Sequence, residues 1–201
     1  MTVSPSDIAD SLRAAKTQSD AGRGLPPVHL WNPPFCGDLD MEIARDGTWR
    51  YLGSPFTRPE LVRLFSTILK REGDAYFLVT PAEKVGIRVV DVPFLAIDIE
   101  ASGQGRDQTL RFLTSVGDHA LAGPKHPIRV TLAEDGTPAP YVEIRAGLEA
   151  RIDRKSFYRM VDLGVVQPHR GADWFGVWSG GAFFPIAPDP TSPEQAQGNS
   201  E

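Results

Sequence analysis

Residues 41–65 read MEIARDGTWRYLGSPFTRPELVRLF, and residues 128–161 read IRVTLAEDGTPAPYVEIRAGLEARIDRKSFYRMV. Each stretch runs an alternating apolar segment into Asp-Gly-Thr. A second strand-like segment follows, and an Arg then opens a helix-like one. Asp46-Gly47 reads as a two-residue hairpin turn, because such turns need positive φ at both central positions. Asp135-Gly136 holds the same place in the second stretch. A strand-turn-strand-helix repeat predicts an α+β fold of two consecutive units. Each unit is expected to be a curved antiparallel β-sheet, a half-barrel or roll, packed on one α-helix. The turn-to-helix spacing is wider in the second copy, which leaves room there for one more strand or a bulge.

Working outward, Leu39, Met41 and Ile43 alternate as in a half-buried strand, and Thr48 to Leu52 forms the return strand. Thr57 and Glu60 are spaced for a capping box, which predicts a helix over 58–71 with Leu61, Leu64, Phe65, Ile68 and Leu69 on its apolar side. Residues 76–115 read as a strand meander, with period-2 sets at Val85/Ile87/Val89, Leu95/Ile97/Ile99 and Leu110/Phe112/Thr114. SGQGRDQ (102–108) interrupts it. The connector at 116–127 divides a first unit, 27–118, from a second, 119–186. In the second unit Asp153 caps a helix carrying Phe157, Met160 and Val161 and closed by Gly164. WFGVW (174–178) and AFFPI (182–186) flank a Gly180-Gly181 turn. Residues 1–26 form an N-terminal extension, partly helical or disordered. Its helix is capped by Ser4, starts at Pro5, and docks loosely through Ile8, Leu12 and Ala15. Val28, Leu30, Trp31 and Phe35 anchor the Pro/Gly connector that follows. Residues 187–201 carry too little apolar content to bury and predict a disordered tail.

The formal net charge of -5 argues against a mainly electrostatic nucleic-acid binder. No apolar run is long enough to span a bilayer. The N-terminus has neither a basic start nor an apolar h-region, so the cytoplasm is the expected compartment. Cys36 is the only cysteine; its Pro, Gly and acidic neighbours suit packing better than a thiolate nucleophile. His29, His119, His126 and His169 show no local metal-ligand spacing. The Gly-x-Gly fragment in SGQGR opens no helix and is a loop, not a phosphate cradle. Ser179 before Gly180-Gly181 belongs to a turn. These readings assign no catalytic residue, no metal and no cofactor.

Arg88, Arg111, Arg129, Arg145 and Arg151 fall on strand-like runs. Charged residues between buried apolar ones ordinarily face water. A curved sheet that turns its second face inward would instead line a groove with them, and guanidinium groups bind carboxylate or phosphate bidentately. The expected ligand is then a small anionic molecule. Arg111, Arg129 and Arg145 would contact the anion, and Thr80, Glu83, Thr114, His126 and Tyr141 would orient it. The alternative is a protein-protein interaction module using an exposed edge strand or the late aromatic surface of Tyr158, Trp174, Phe175, Trp178, Phe183 and Phe184. A third reading is an enzyme with Glu83 or His126 as acid or base beside Arg111.

The run from Asp46 to Glu100, with its TPAEKVGI (80–87) and DVPF (91–94) segments, resembles the central signature of a bacterial family known as domain of unknown function 1285. LRFLTSVGD (110–118), HPIRV (126–130), PYVEIRAGLEARIDRKSFY (140–158) and GVWSGGAFFPI (176–186) are similar to its second half in the same order. The resemblance covers roughly residues 26–186. It implies a two-domain α+β fold with repeated motifs and a part in signal transduction or ligand sensing. It transfers no catalytic residue.

Overall fold

The computed structural model describes residues 4–18, 24–132 and 136–189. The chain forms two compact units, Met1–Pro93 with Ala146–Leu148, and Phe94–Arg145 with Glu149–Glu201. The division therefore falls between Pro93 and Phe94, not between 118 and 119 as the connector suggested. The physical reason is strand pairing. Phe94–Ser102 (β7) runs parallel to Leu148–Ile152 (β12) and antiparallel to Thr109–Thr114 (β8), so the later half of the expected meander belongs to the second sheet. Period-2 alternation reports a strand's faces and is silent about its partner.

In the first unit, α1 (Pro5–Gln18) is followed by β1 (Phe35–Ile43), β2 (Trp49–Tyr51), β3 (Ser54–Pro55), α2 (Pro59–Thr67), β4 (Leu69–Glu72), β5 (Ala75–Val79) and β6 (Lys84–Val89). The six strands lie in the order β3-β2-β1-β6-β5-β4. All neighbours are antiparallel except β1 and β6, so the sheet is mixed where an antiparallel one was expected. Met41, Ile43, Trp49, Phe65, Ile68, Leu78 and Val85 are buried. Trp49 stacks on Phe65 at 6.5 Å and Phe56 meets the same ring edge-on at 5.7 Å. Ile8, Ala9 and Leu12 of α1 are buried as well, so the extension docks firmly where loose contact was expected. In the connector Leu30 and Phe35 are exposed and do not anchor it, although Phe35 touches the Phe77 ring edge.

Local details also depart from the simplest reading. The capping box does not form. Arg58 is the N-cap of α2 with no side-chain hydrogen bond, and Pro59 takes the first helical position. The helix stops at Thr67 instead of reaching residue 71, because Leu69–Glu72 pair with Ala75–Leu78 across a turn containing Gly73 at φ 61°. At the Asp46 turn only Gly47 has positive φ, at 81°. The Gly47 N–H donates to Ala44 O, and the Ala44 N–H donates to Thr48 O, both at 2.9 Å. This is a three-residue loop with a glycine bulge, not a two-residue primed turn. Asp135 lies outside the described residues.

The second unit continues with β9 (His119–Leu121), β10 (Ile128–Leu132), β11 (Pro138–Arg145), α3 (Arg154–Val161), β13 (Val165–His169), β14 (Ala172–Ser179) and β15 (Ala182–Pro188). Its large sheet has the order β10-β11-β12-β7-β8-β9, with one parallel pair in the middle. The end strands β9 and β10 are joined by the short turn around the Gly123–His126 bridge, and β9 comes back against β11. A sheet whose two ends are tethered this closely must roll up, and it forms the half-barrel. Both copies place three strands before the helix, so the wider spacing of the second copy is taken up by longer strands, Pro138–Arg145 and Leu148–Ile152 against Trp49–Tyr51 and Ser54–Pro55, and not by an additional strand. As expected, Asp153 caps α3, accepting the Ser156 N–H at 2.7 Å. Leu110, Phe112 and Thr114 are buried together. The set Leu95/Ile97/Ile99 is broken by a bulge between Ala96 and Asp98, so that Phe94, Ala96 and Ile99 point inward and Ile97 is exposed. A second, three-stranded antiparallel sheet, β13-β14-β15, completes this unit, with Gly180-Gly181 as a tight turn at φ 56° and 75°. Pro188 ends β15, so the expected tail begins as ordered strand; residues 190–201 lie outside the described residues.

Candidate functional site

The eight residues expected to hold an anion are divided between the two units. Thr80 and Glu83 belong to the first unit, and the other six to the second. Thr80 is fully buried and organises its own turn. Its Oγ1 accepts the Ala82 and Glu83 N–H groups at 3.3 and 3.2 Å. Glu83 is half-buried; burial, and then the negative charge of Asp7, raise its carboxyl pKa. Thr114 is buried and its Oγ1 accepts the Asp118 N–H at 3.0 Å, the same turn-closing role.

The arginines are neutralised within the fold. Arg88 pairs with Glu42 at 3.1 Å. Arg111 pairs with Glu100, its cross-strand neighbour, at 3.3 Å. Arg129 grips Glu149 bidentately at 2.6 and 2.8 Å, and its guanidinium lies 3.9 Å from the centre of the Tyr141 ring. That stacking, with Arg151 also at 5.9 Å, accounts for the burial of Tyr141. Arg145 rests on Phe94 at 4.9 Å and pairs with Asp118 at 3.3 Å. Burial lowers the Arg145 pKa while Asp118 opposes the shift. The structure thus brings Thr114, Asp118 and Arg145 together at the β8–β9 turn, and separates this group from Arg111 and from the Arg129–Tyr141 pair. His126 shapes the Gly123–His126 turn, and its Nδ1 is buried without a hydrogen-bond partner among the described residues.

Ser179 is fully buried. Its hydroxyl accepts the Leu110 N–H at 2.9 Å and donates to the Ala122 carbonyl at 2.7 Å, so it fastens the β14–β15 turn. Among the described residues no three metal-ligating side chains come together, and no helix is long and apolar enough to cross a membrane. A cleft of about 250 Å³ in the first unit is lined by Tyr51, Phe56, Thr57, Arg58 and Leu61, and one of about 340 Å³ in the second by Ile99, Arg159 and Asp162. Neither contains any of the eight expected residues.

A further group of side chains gathers on the small sheet. Val177 and Phe184 face inward and are buried. On the opposite face, strand alternation places His169, Trp174, Trp178 and Phe183 side by side, all half-buried. Ring centres are 6.3 Å apart for Trp174–His169, 5.7 Å for His169–Phe183 and 5.6 Å for Phe183–Trp178. Gly176 makes this convergence possible, since a Cβ there would stand 2.5 Å from Phe183 Cζ. The Arg106 guanidinium extends the row, 5.0 Å from the Trp178 ring centre. Its position is built in. The buried Gln108 donates from Nε2 to the Trp178 carbonyl at 2.8 Å, while its own carbonyl accepts the Gly180 N–H at 3.0 Å. Those bonds tie the Gly105–Asp107 turn, and Arg106 with it, to the end of β14. Arg106 has no ion-pair partner among the described residues, in contrast to Arg111, Arg129 and Arg145. The clustering of late aromatics was legible in the sequence. Arg106 was not, because it sits in the SGQGRDQ loop and no local pattern links that loop to β14.

Two family models match the chain, a "Domain of unknown function (DUF1285), N-terminal domain" over residues 26–92 and a "Protein of unknown function (DUF1285), C-terminal domain" over 93–186. Their junction falls within one residue of the division between Pro93 and Phe94. No curated protein matches. Among solved structures, a DUF1285 family protein from Silicibacter pomeroyi DSS-3 is 57% identical, with a TM-score of 0.79, over 91% of this chain and 96% of that one. A DUF1285 family protein from Shewanella baltica OS155 is 31% identical over 62% of this chain and 91% of that one, with a TM-score of 0.49. With both domains matched in order and more than half the residues shared with the Silicibacter protein, the chain belongs to the DUF1285 family.

Proposed function

We propose that this protein is a non-catalytic binding or regulatory protein for a small anionic molecule, held on the outer aromatic face of the second unit. The supporting observation is the contrast between cations. Arg111, Arg129 and Arg145 spend their charge on Glu100, Glu149 and Asp118. Arg106 is fastened over Trp178 with no carboxylate partner among the described residues. A guanidinium that is preorganised and uncompensated offers an anion its full bidentate hydrogen bonding. Occupancy of such a face would be the input of a signalling role.

An NMR titration of the full chain against a library of anionic metabolites tests the reading. The indole N–H signals of Trp174 and Trp178 are expected to shift. Arg106→Ala should weaken binding by about tenfold, while Arg129→Ala leaves it unchanged. Shifts confined to the surroundings of Arg129 or Arg145, or no shift with any anion, would remove it.

The interaction-module reading draws on β13, an edge strand with Val165 and Val166 exposed. It ranks second because Pro168 lies in that edge and supplies no N–H to an incoming strand. The acid/base reading needs Glu83, His126 and Arg111 in one cleft, and neither cleft described above is lined by any of them.

A further inference from the structure

We infer that the ligand class of the aromatic face is a nucleoside phosphate, its base stacked on the Trp178–Phe183 end of the row and its phosphate held by Arg106. The inference rests on the binding reading above and adds the chemical class. A bare anion needs a cation and has no use for rings; a bare ring needs flat apolar surface and has no use for a fixed guanidinium. This face supplies both within one stack. Trp178 and Phe183 are 5.6 Å apart and tilted, and Phe183 reaches His169 at 5.7 Å. The Arg106 guanidinium lies 5.0 Å from the Trp178 ring centre, so a phosphate on its N–H edge is held beside a base stacked at the Trp178–Phe183 end. The indole N–H groups of Trp174 and Trp178 make no hydrogen bond among the described residues, so they remain free to donate to ring acceptors or phosphate oxygens. At the other end of the row, beyond His169, Arg170 is exposed in the β13–β14 turn and has no ion pair among the described residues.

The ring row is also short. Base stacking on aromatic side chains is sequence-tolerant and strong enough to matter for single bases. A nucleic-acid strand, however, would need a longer positive track, and the chain as a whole carries a net charge of -5. A mononucleotide fits the extent of the surface.

The test uses the full chain and follows tryptophan fluorescence and the two indole signals with five probes: adenosine 5′-monophosphate, adenosine, inorganic phosphate, succinate and a short single-stranded oligodeoxynucleotide. The nucleotide is expected to bind at least about tenfold more tightly than adenosine, phosphate or succinate. Arg106→Ala, a change at an exposed side chain, should bring the nucleotide down to the level of adenosine. Trp178→Leu should bring it down to the level of phosphate. If phosphate or succinate matches the nucleotide, the class is overturned and the anion-binding reading stands. If adenosine matches it, both fail. Tighter binding of the oligonucleotide replaces a nucleotide site with a nucleic-acid platform and overturns the inference. Silence with all five probes also overturns it, and the metabolite library then decides the broader reading separately.

Discussion

The Ser179 hydroxyl stands between two buried backbone groups, taking the Leu110 N–H and giving its proton to the Ala122 carbonyl. Ser179→Ala leaves both groups in the interior without a partner, which should cost about 1–3 kcal/mol. Urea unfolding would read this as a lower midpoint at unchanged slope. Glu83 acts on stability through its charge. Burial first, and then Asp7, raise its carboxyl pKa, so ionisation is harder in the folded chain than in the unfolded one. The stability tied to the neutral form is complete below the unfolded carboxylate range, about pH 4, and is lost as pH rises through the higher folded value. Glu83→Gln should therefore melt at a higher temperature than the parent at pH 7 and at the same temperature at about pH 4. A gap that persists in acid would assign the effect to packing. The charged residues that looked like ligand contacts read differently once their neighbours are known. Arg129 and Glu149 are close because β10, β11 and β12 are adjacent, and a residue-by-residue scan of charge does not contain that adjacency.

At the scale of elements, β13 explains how a proline is tolerated in a strand. The Arg170-Gly171 turn has positive φ at both residues, 53° and 90°, and closes on the His169–Ala172 pair. A two-residue turn of this kind makes that closing pair the hydrogen-bonded one. Alternation then makes Gln167–Trp174 hydrogen-bonded and turns the backbone of Pro168 outward. Pro168→Ala should therefore change stability by no more than about 0.5 kcal/mol. Gln167→Pro removes an inward N–H and should cost about 3 kcal/mol or more. Thermal melts of the two variants separate these outcomes, and equal losses would show the register to be shifted by one. Most strands were readable from their apolar alternation, and α3 from its Asp153 cap. The α2 boundary was not. Leu69 continues the helical spacing of Leu61, Leu64, Phe65 and Ile68, yet it is buried as a strand residue opposite Leu78. The primed turns at Leu52-Gly53, Ala146-Gly147 and Arg170-Gly171 were hidden for a related reason. Leu52, Ala146 and Arg170 are held at positive φ by the strands on either side and have no local preference for it.

For the whole chain the consequential difference is where one unit ends and the next begins. The order β10-β11-β12-β7-β8-β9 puts β7 and β8 inside the second sheet, between β12 and β9. A fragment beginning at Phe94 keeps all six strands, α3 and the small sheet, and is expected to fold cooperatively with a strand-rich circular dichroism spectrum. A fragment beginning at His119 lacks β7 and β8 and is expected to remain unfolded or to aggregate through the exposed edge of β12. Folding of the shorter fragment would contradict the sheet order.

By itself the sequence determined the α+β class, two successive units, the faces of most strands, the helix capped by Asp153 and the turn at Gly180-Gly181. All of these follow from φ/ψ preference and from the spacing of apolar side chains along a few consecutive residues. Only the tertiary structure decided that β7 joins β12, that Arg111, Arg129 and Arg145 are matched by carboxylates, and that Arg106 is carried onto Trp178. Each of those depends on which distant segments share a hydrogen-bonded edge or a packed face. That choice is set by the collective fit of the whole chain, and a local period of 2 or 3.6 residues carries no record of it.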